Sequence, residues 1–337
     1  MLTITQKRDI NTAVGILGVG SHLPDKVLKN SDLEKMVDTS DEWISSRTGI
    51  KERHIASFDQ AASDIAVPAA KLAMEKAGVL AKDIDLIIVA TCTPDMHFPS
   101  TACILQHNLG CKKAAAFDLS AACSGFIYSL VSAQIFINTG AVKHVLVVAS
   151  EVLSKAVNWK DRKTCVLFGD GAGAVVLGPV KRGNGIISAV LASEGTGWEL
   201  LTLPGGGSRM CLSAESIKAG NHFISMNGKE VFKFAVKVME EGSLKALELA
   251  GLSKEDINLF IPHQANIRII EHAAKKLNLP MEKVVINIDK CGNTSAASIA
   301  LALDGALKQG RIKRGDNILM IAFGAGLTWG SAVIKWV

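Results

Sequence analysis

Short apolar runs alternate with longer amphipathic stretches along this chain, and the boundaries between them fall repeatedly at glycine. The run LIIVA at 86–90 follows a helix-like stretch that ends at Gly78, and LFIP at 259–262 follows a similar stretch that ends at Gly251. A helix that stops at Gly before an uninterrupted apolar run predicts a helix and then a strand buried on both faces. The pattern therefore predicts an α/β fold with helices packed on a parallel sheet.

The same order of elements occurs twice. Residues 77–88 align with residues 250–261 at a constant offset of 173 (250 − 77). Internal similarity at a fixed offset indicates a duplicated unit. We therefore predict two α/β halves, residues 1–180 and residues 181–337, which form one continuous block because no low-complexity linker separates them.

A second match extends the duplication. Cys123 precedes Gly140 by 17 residues, and Asn293 precedes Gly310 by the same 17 (140 − 123 = 310 − 293). Both segments begin with small or capping residues, continue with helical periodicity and stop at Gly, so each is predicted to be a helix. The halves also differ in places. The first half has an insertion around 153–164 and an unmatched polar segment at 27–54, residues 205–222 are predicted to be a loop, and such additions often serve the site.

Charge and cysteine usage narrow the function. The 37 basic residues against 32 acidic ones give a formal charge of +5, too small for a protein whose affinity depends on neutralising phosphates, so no nucleic-acid partner is expected. No apolar run of about 18 residues and no secretory signal is found, so no membrane association is expected. Seven scattered cysteines without a CxxC pair disfavour a disulfide scaffold or a metal site and favour the cytoplasm.

The duplication indicates where the chemistry should lie. Ligands of such sheets bind at the carboxyl ends of strands and at the amino ends of the helices that follow. Cys123 follows the strand AAAFDLS, Asn293 holds the matching place in the second half, and His263 follows the strand INLFIP. We expect these three side chains to converge on one edge of one sheet.

Each of the three residues also has an ordinary structural interpretation. A cysteine is most often a small buried apolar residue, a single histidine is most often a satisfied core residue, and an asparagine before a helix is most often an N-cap. Their convergence favours chemistry. At a helix amino terminus Cys123 is expected to have a lowered pKa and to act as a nucleophile, whereas neutral His263 and Asn293 are expected to donate hydrogen bonds to an oxyanion.

At these residues the sequence resembles a known family. The segments DTSDEWISSRTGI, AACSGF, FGDGAGA, PHQANIRI, GNTSAAS and FGAGLTWGSA occur in order over nearly the full length. Together they resemble β-ketoacyl-acyl carrier protein synthase III, the initiating condensing enzyme of type II fatty-acid synthesis. The resemblance implies a thiolase-like αβαβα layered fold made of two duplicated halves, and a homodimer.

The resemblance also implies the roles of the site residues. Cys123 accepts the acyl group of an acyl-CoA primer, expected to be acetyl-CoA, and His263 with Asn293 stabilises the enolate formed when malonyl-acyl carrier protein loses carbon dioxide. The Cys123 N–H and a backbone N–H of the 323–326 loop hold the oxyanion. Acyl-CoA is a substrate, and no permanently bound cofactor or metal is implied. At Ala325 this chain departs from the GGG of many members, but the expected donor is a backbone N–H, so the function is expected to survive.

Binding residues follow from the same motifs. The CoA contacts implied by the resemblance are Trp43, Arg47, Thr48, Arg162, Gly228, Phe232 and Asn266. The carrier-docking segment is Gln264, Ala265, Asn266, Ile267 and Arg268, and helical spacing places basic residues nearby at Lys229, Lys233, Lys237, Lys275 and Lys276. Phe98 is implied to close the acyl pocket of the neighbouring subunit.

Other functions are open from the sequence. A degradative thiolase would carry a second Cys near the last Gly-rich loop, and an elongating synthase a second His in place of Asn293. A relative that condenses another acyl-CoA in secondary metabolism stays possible, and a non-catalytic CoA-binding module would not need Cys123 and His263 together. A nicotinamide oxidoreductase is disfavoured because no Gly-rich stretch completes the GxGxxG pattern. The length and branching of the primer are not determined by the sequence.

Overall fold

The computed structural model describes residues 12–337 of the chain. The first eleven residues lie outside this range, and so does most of the segment in which no secretory signal was found. Within 12–337, no helix combines the length and the apolar character needed to cross a bilayer.

Strands and helices alternate through both halves. The strands are β1 (Thr12–His22), β2 (Lys26–Lys29), β3 (Glu52–Ile55), β4 (Leu86–Ala90), β5 (Ala115–Leu119), β6 (Val145–Glu151), β7 (Gly171–Lys181), β8 (Gly185–Ser193), β9 (Leu201–Thr202), β10 (Ser225–Met226), β11 (Leu259–Pro262), β12 (Asn317–Gly324) and β13 (Thr328–Lys335). The α-helices are α1 (Asn30–Leu33), α2 (Asp41–Thr48), α3 (Ala62–Ala77), α4 (Thr101–Leu109), α5 (Gly125–Asn138), α6 (Arg162–Cys165), α7 (Ala214–Lys218), α8 (Gly228–Ala250), α9 (Ile267–Lys276), α10 (Ile288–Cys291) and α11 (Ala297–Lys308).

The duplication is visible in the strand registers of two separate sheets. The first sheet has the order β1-β7-β6-β4-β5 and the second the order β11-β12-β13-β8. In the first, β4 pairs in parallel with β6, with Leu86 opposite Val145. In the second, β11 pairs in parallel with β12, with Leu259 opposite Ile318, at the same offset. The two sheets use strands from 12–181 and from 185–335, whereas the predicted domain boundary at residue 180 stays a prediction.

Five layers stack through the molecule because the central strands are apolar on both faces. Alternate residues of β4 pack against α5 in the middle of the protein or against α3 and α4 on the outside. Alternate residues of β12 likewise face α11 in the middle or α8 and α9 on the other outside. The order is therefore helix, sheet, helix, sheet, helix, which confirms the predicted αβαβα fold.

The polar segment and the insertion of the first half pack together. Leu33 and Ile44 of the polar segment share a small core with Leu153 and Cys165 of the insertion. Residues 205–222, predicted to be a loop, contain the short helix α7, because Ser213 caps it through the N–H of Ser216. This additional layer covers one end of the sheets and forms the entrance described below.

Candidate active site

Cys123 lies in a tight turn between β5 and α5. A 3₁₀ turn over Ala122–Ser124 leads into α5, and Ala122 has a φ of 47°, in the left-handed region that non-glycine residues seldom adopt. The surrounding structure holds this unfavourable conformation, which is common at functional sites. The turn leaves Cys123 only 8% exposed, at the junction of two cavities.

The structure contradicts the predicted lowering of the Cys123 pKa. The pKa of Cys123 is raised to about 12, chiefly by burial and to a smaller extent by the Glu151 carboxylate, against a lowering by the Ser295 hydroxyl. Loss of hydration disfavours the charged thiolate, and it is the largest cause of the raised pKa. Cys123 is therefore a neutral thiol at pH 7 and needs a proton acceptor before it can attack.

His263 is held as a neutral ring. It follows β11, is buried, and burial lowers its pKa to about 3. Its Nδ1 lies 2.7 Å from the hydroxyl of Ser298, which also accepts a hydrogen bond from the N–H of Gln264. Because the hydroxyl accepts from Gln264, it can donate to Nδ1, which leaves the proton of the ring on Nε2. The expectation of a neutral imidazole donor is thus supported.

Asn293 joins the two halves of the molecule. Its backbone N–H donates to Leu167 and its C=O accepts from Gly169, as in a short parallel bridge. The side-chain Oδ1 accepts from the N–H of Ser295, so the amide NH₂ is the group left for the cavity. Asn293 is not the N-cap of α11, which begins four residues later at Ala297 because residues 294–296 form a turn first.

The three residues meet, but not on one sheet. Cys123 follows a strand of the first sheet and His263 follows a strand of the second, so the predicted single sheet edge is wrong. The repeat indicated equivalent positions, and these face each other across the boundary between the two halves. Cys123, His263 and Asn293 line one cavity with an empty volume of about 890 Å³.

Gly324 brings the second half against the nucleophile. A Cβ at this position would lie 2.6 Å from the backbone N of Cys123, closer than real Cβ contacts allow. Glycine therefore permits the 323–326 loop to approach the turn that holds the thiol. This approach agrees with the expected placement of an oxyanion site between the Cys123 N–H and that loop.

A second cavity continues beyond Cys123. Its empty volume is about 520 Å³, and apolar side chains dominate its lining. The lining residues include Cys92, Thr93, Leu153, Ala156, Phe168, Leu201, Leu203, Ile224 and Ser295. A thiol between two cavities can hold a small group on one side and receive a long ligand from the other.

An aromatic ring with two neighbouring cations lies close to the larger cavity, since Asn266 of the cavity lining donates to the C=O of Arg47. The guanidinium carbons of Arg162 and Arg47 lie 5.0 and 5.6 Å from the ring centre of Trp43. Arg162 also donates a hydrogen bond to the C=O of Asp38 at 2.7 Å. The insertion and the polar segment thus bring Trp43, Arg47 and Arg162 together, as the resemblance implies for a CoA-binding mouth.

Three of the other four residues predicted to contact CoA line the larger cavity, and one does not. Gly228, Phe232 and Asn266 line the larger cavity, and Asn266 donates to the C=O of Arg47 at 3.1 Å. Thr48 does not: it is 4% exposed, and its hydroxyl donates to Ile44 O and accepts from Ile50 N. Its predicted contact with CoA is therefore corrected to a structural role at the end of α2.

The predicted carrier-docking segment is only partly on the surface. Gln264 is fully buried, donates to the C=O groups of Pro262 and Val285 and accepts from Asn287, so its side chain cannot meet a protein partner. This correction follows from the polar backbone that Gln264 satisfies. Arg268 is exposed, and Ala265 and Ile267 are partly exposed. The predicted basic residues are also exposed, namely Lys229, Lys233, Lys237, Lys275 and Lys276.

Phe98 projects away from its own chain. Its exposed fraction is 86%, although it is a large apolar residue. The neighbouring His97 is tied to the C=O of Gly206 at 2.7 Å, which fixes the loop that carries Phe98. An exposed phenylalanine on a fixed loop is suited to insertion into another surface.

Two polar residues near Cys123 were not predicted from the sequence. Glu151 ends β6 and is 0% exposed, and Ser295 lines the smaller of the two cavities. A signal existed for Glu151, because an acidic residue directly after the apolar run VLVVAS is a candidate buried charge. Ser295 gave no such signal in a stretch rich in small residues.

Two duplicated α/β halves that place a cysteine opposite a histidine and an asparagine define a condensing enzyme of the thiolase fold. The models of 3-oxoacyl-[acyl-carrier-protein] synthase III match residues 117–195 and, for its C-terminal part, residues 247–336. The chain is 61% identical over 324 residues to the β-ketoacyl-[acyl-carrier-protein] synthase III of Caldanaerobacter subterraneus subsp. tengcongensis, covering 96% of this chain and 98% of the relative. The chain therefore belongs to the β-ketoacyl-acyl carrier protein synthase III family.

Solved structures agree with this assignment. The 3-oxoacyl-[acyl-carrier-protein] synthase III of Aquifex aeolicus VF5 superposes with a TM-score of 0.89 and 51% identity over 96% of this chain and 100% of that one. The priming β-ketosynthase of the R1128 polyketide biosynthetic pathway has a TM-score of 0.90 and 37% identity over 97% of both chains. The chain is thus an acyltransferase of the condensing type that initiates fatty-acid biosynthesis.

Proposed function

We propose that Cys123 carries the acyl group of an acyl-CoA primer and passes it to the carbanion made from malonyl-acyl carrier protein, giving 3-oxoacyl-acyl carrier protein. The observation that carries this proposal is the position of Cys123 between two cavities, with His263 and Asn293 on the side of the entrance. The acyl group occupies the apolar cavity, and the pantetheine arm occupies the larger one.

The first half-reaction is acyl loading. The Cys123 sulfur attacks the thioester carbon, the bond from that carbon to the CoA sulfur breaks, and CoA leaves as the thiol. The carbonyl oxygen becomes an oxyanion next to the Cys123 N–H, at the point where Gly324 approaches. The product is an acyl-Cys123 thioester.

The second half-reaction uses the donors of the other half. When the malonyl group loses carbon dioxide, negative charge moves onto its thioester oxygen. The Nε2–H of neutral His263 and the amide NH₂ of Asn293 donate to this oxygen. Both groups are available as donors because His263 Nδ1 and Asn293 Oδ1, their acceptor atoms, are already hydrogen-bonded elsewhere. The carbanion then attacks the acyl-Cys123 carbon, the bond from that carbon to the Cys123 sulfur breaks, and the sulfur takes up a proton from solvent to become the thiol again.

The entrance is suited to CoA. A flat ring at Trp43 provides a stacking surface for adenine, and Arg162 and Arg47 provide cations for phosphates. Gly228, Phe232 and Asn266 then border the passage to Cys123. Acyl-CoA is in this proposal a substrate, with no permanently bound cofactor.

An acidic carrier protein is the second partner. Arg268 and Lys275 are exposed on α9, and Lys229 and Lys237 are exposed on α8, so a basic surface adjoins the entrance. Two other cations are partly neutralised, because Lys233 pairs with Glu230 at 2.8 Å and Lys276 with Glu240 at 3.4 Å. In this proposal the carrier protein docks on Ala265, Asn266, Ile267 and Arg268.

A homodimer completes the proposal. Strand β5 is an edge strand of the first sheet, and its five residues are half-buried rather than covered. Unpaired edge strands are templates for pairing with another copy. Pairing there would extend the sheet, and Phe98 would reach a neighbouring subunit. The free thiols agree with a reducing compartment such as the cytoplasm.

A two-stage assay tests the proposal. Labelled acetyl-CoA is mixed with the enzyme, and mass spectrometry locates the label. Malonyl-acyl carrier protein is then added, and the 3-oxoacyl product is measured. We expect label on Cys123 and its transfer to the product. A series of longer and branched primers reads the primer length, since each buried methylene is worth about 0.8 kcal/mol. Label on another residue would contradict the assignment of the nucleophile.

A further inference from the structure

A buried cation, Arg53, connects the helix of Trp43 with the bridge of Asn293. Arg53 belongs to β3 and is 0% exposed, and the hydrogen bonds of its guanidinium within residues 12–337 all end on neutral oxygens. Its Nε is also buried and has no hydrogen-bond partner in the described part of the chain. Burial lowers the pKa of Arg53 to about 10, so the side chain is still charged at pH 7. A buried charge without a hydrogen-bonded carboxylate is expensive to retain and calls for an explanation.

One nitrogen of the guanidinium acts on α2. Arg53 Nη1 donates to Asn30 Oδ1 at 2.8 Å. Because Oδ1 accepts this hydrogen bond, the amide NH₂ of Asn30 has to face α2. There it donates to Asp41 Oδ1 and to the C=O of Ile50, both at 2.7 Å. These acceptors lie at the start of α2 and just beyond its end, so Arg53 orients the amide that holds the helix of Trp43.

The other nitrogen acts on the insertion of the first half. Arg53 Nη2 donates at 2.9 Å to the C=O of Val166, the C-cap residue of α6. The last carbonyls of a helix have no partner within the helix, and an arginine side chain can satisfy them. Helix α6 begins at Arg162, whose guanidinium carbon lies 5.0 Å from the ring centre of Trp43. Both members of this pair are therefore held, through their helices, by one guanidinium.

The same side chain packs against the bridge of Asn293. The N–H of Asn293 donates to the C=O of Leu167 at 2.9 Å, and Leu167 directly follows the carbonyl that Arg53 holds. A Cβ on Gly292 would lie 3.1 Å from the Cβ of Arg53, and a Cβ on Gly169 would lie 2.9 Å from it. Glycine at both positions lets the two sides of the bridge close around Arg53.

We propose that Arg53 is a positioning residue that holds two parts of the site in one arrangement. These parts are the pair of Trp43 with Arg162 and the amide of Asn293. The inference rests on the roles proposed above for these groups in CoA binding and in decarboxylation. Arg53 lines neither of the two cavities at Cys123, so it acts on substrates only through the groups that it holds.

Asp304 offers a matched control. It is also a charged side chain with 0% exposure, but it has ionised partners, Lys76 at 2.8 Å and Lys308 at 2.7 Å. These lysines belong to α3 and α11, and neither lines the cavities at the nucleophile. Asp304→Asn should therefore lower the melting temperature and leave the preference between substrates unchanged.

Two thioesters test the role of Arg53. Acetyl-CoA carries the adenine nucleotide and acetyl-pantetheine does not, so the ratio of their second-order rate constants for Cys123 loading reports on nucleotide binding. We expect Arg53→Met to lower this ratio and the rate of malonyl-acyl carrier protein decarboxylation by about tenfold or more each, because small displacements of binding and donor groups are costly. Loading from acetyl-pantetheine should stay close to the wild-type rate. Asn30→Ala removes only the contact with α2 and should lower the ratio alone.

Loss of stability by itself gives a different result. It lowers the melting temperature but leaves the ratio unchanged for the folded enzyme, whose fraction circular dichroism measures. If Arg53→Met does not fold, Arg53→Lys takes its place, because an ammonium group cannot reproduce the planar fork and the same losses are expected. An unchanged ratio in the Arg53 variant and in Asn30→Ala would overturn the inference. An equal fall of the ratio in Asp304→Asn would also overturn it, and wild-type decarboxylation in the Arg53 variant would overturn the link to Asn293.

Two further measurements separate this inference from the proposed function. Absence of label on Cys123 in the wild type would overturn the proposed nucleophile. A wild-type ratio in Trp43→Ala would overturn the proposed site for the nucleotide. If both of these measurements give the expected results, an unchanged ratio in the Arg53 variant counts against Arg53 alone.

Discussion

The two halves of this molecule share a scaffold and differ in what the scaffold carries. Strands β4 and β6 of the first half and β11 and β12 of the second have equivalent registers. The first half adds β5, the polar segment and the insertion, which supply the thiol, part of the wall of the smaller cavity and the cluster of Trp43 with Arg162. Next to β11, the place of β5 is taken by an isolated bridge between Phe260 and Val284. The second half supplies donors and a basic surface.

This difference suggests a division of labour between the halves. In the proposed reaction the nucleophile comes from the first half and the groups that stabilise charge on the malonyl unit come from the second, whereas both halves line the smaller cavity. Duplication allows such divergence because the packing of each half is set by its apolar strands and is independent of the residue at the strand end. The predictions below test whether the chemistry is divided in this way.

The largest effect is expected at the nucleophile of the first half. Cys123→Ser should lower acyl loading by roughly 10⁴-fold or more, because a serine hydroxyl at this buried position is far less nucleophilic and far harder to deprotonate than a cysteine thiol. Rapid-quench mass spectrometry measures the loading. Cys103→Ser, at an exposed cysteine far from the cavities, is the control and should load normally. Acyl loading of the Cys123→Ser variant at another cysteine would show that Cys123 is not the nucleophile that the first half contributes.

The next effect separates the halves directly. His263→Ala and Asn293→Ala should each lower malonyl-acyl carrier protein decarboxylation by about 10² to 10³-fold, the usual result of removing a preorganised oxyanion donor. Acyl loading of Cys123 should persist in both variants. Carbon dioxide release and acyl-enzyme formation are measured on the same samples. Equal loss of both half-reactions would show that the halves do not divide the chemistry.

A smaller effect is expected on the docking surface of the second half. Arg268→Glu combined with Lys275→Glu should raise the KM for malonyl-acyl carrier protein several-fold at low salt, since like charges would then face an acidic partner. Added salt should reduce the difference, because the screening length is about 10 Å at 0.1 M. The KM for acyl-CoA serves as the internal control. A KM for the carrier substrate that equals the wild-type value at low salt would move the docking site elsewhere.

The smallest effect is expected from pH on the second half. An exposed histidine gains a proton as pH falls through about 6.5. The buried ring of His263 has a pKa of about 3, so it should stay neutral and keep donating from Nε2 down to pH 5. The decarboxylation rate of wild-type enzyme should therefore vary by less than about twofold between pH 5 and 8 on account of this group. A fall centred near pH 6.5 that His263→Gln abolishes would contradict this picture.

Sequence alone predicted the fold, and it singled out Cys123, His263 and Asn293 as candidate site residues, because both inferences start from local patterns. Apolar runs, terminal glycines and a fixed offset identify two similar halves, and Cys123, His263 and Asn293 stand at their strand and helix ends. The offset does not state whether equivalent strands join one sheet or two, so the single sheet edge was wrong. The acidity of Cys123 was also wrong, because burial is a property of the assembled layers and has no signature in the nearby residues.

Other parts of the site lay beyond local patterns. Gln264 and Thr48 occupy motif positions, yet their side chains are consumed by backbone groups from distant residues such as Val285 or from the end of the same helix. The hydrogen bond from the N–H of Cys92 to Glu151 joins positions 59 residues apart in sequence (151 − 92), which no motif spacing reports. Such contacts become evident only when the strands have been placed in three dimensions.

The bridge between Phe168 and Asn293 has a consequence for how the enzyme comes into existence. During synthesis the chain emerges from its amino end, and the thiol is made about 170 residues before the asparagine (293 − 123). Until the second half has been synthesised, the nascent first half has Cys123 but lacks the decarboxylation donors, and no Gly324 lies against the Cys123 N–H. Condensing activity should therefore arrive only as the last part of the chain folds, so a prematurely terminated product would be inert toward the malonyl carrier.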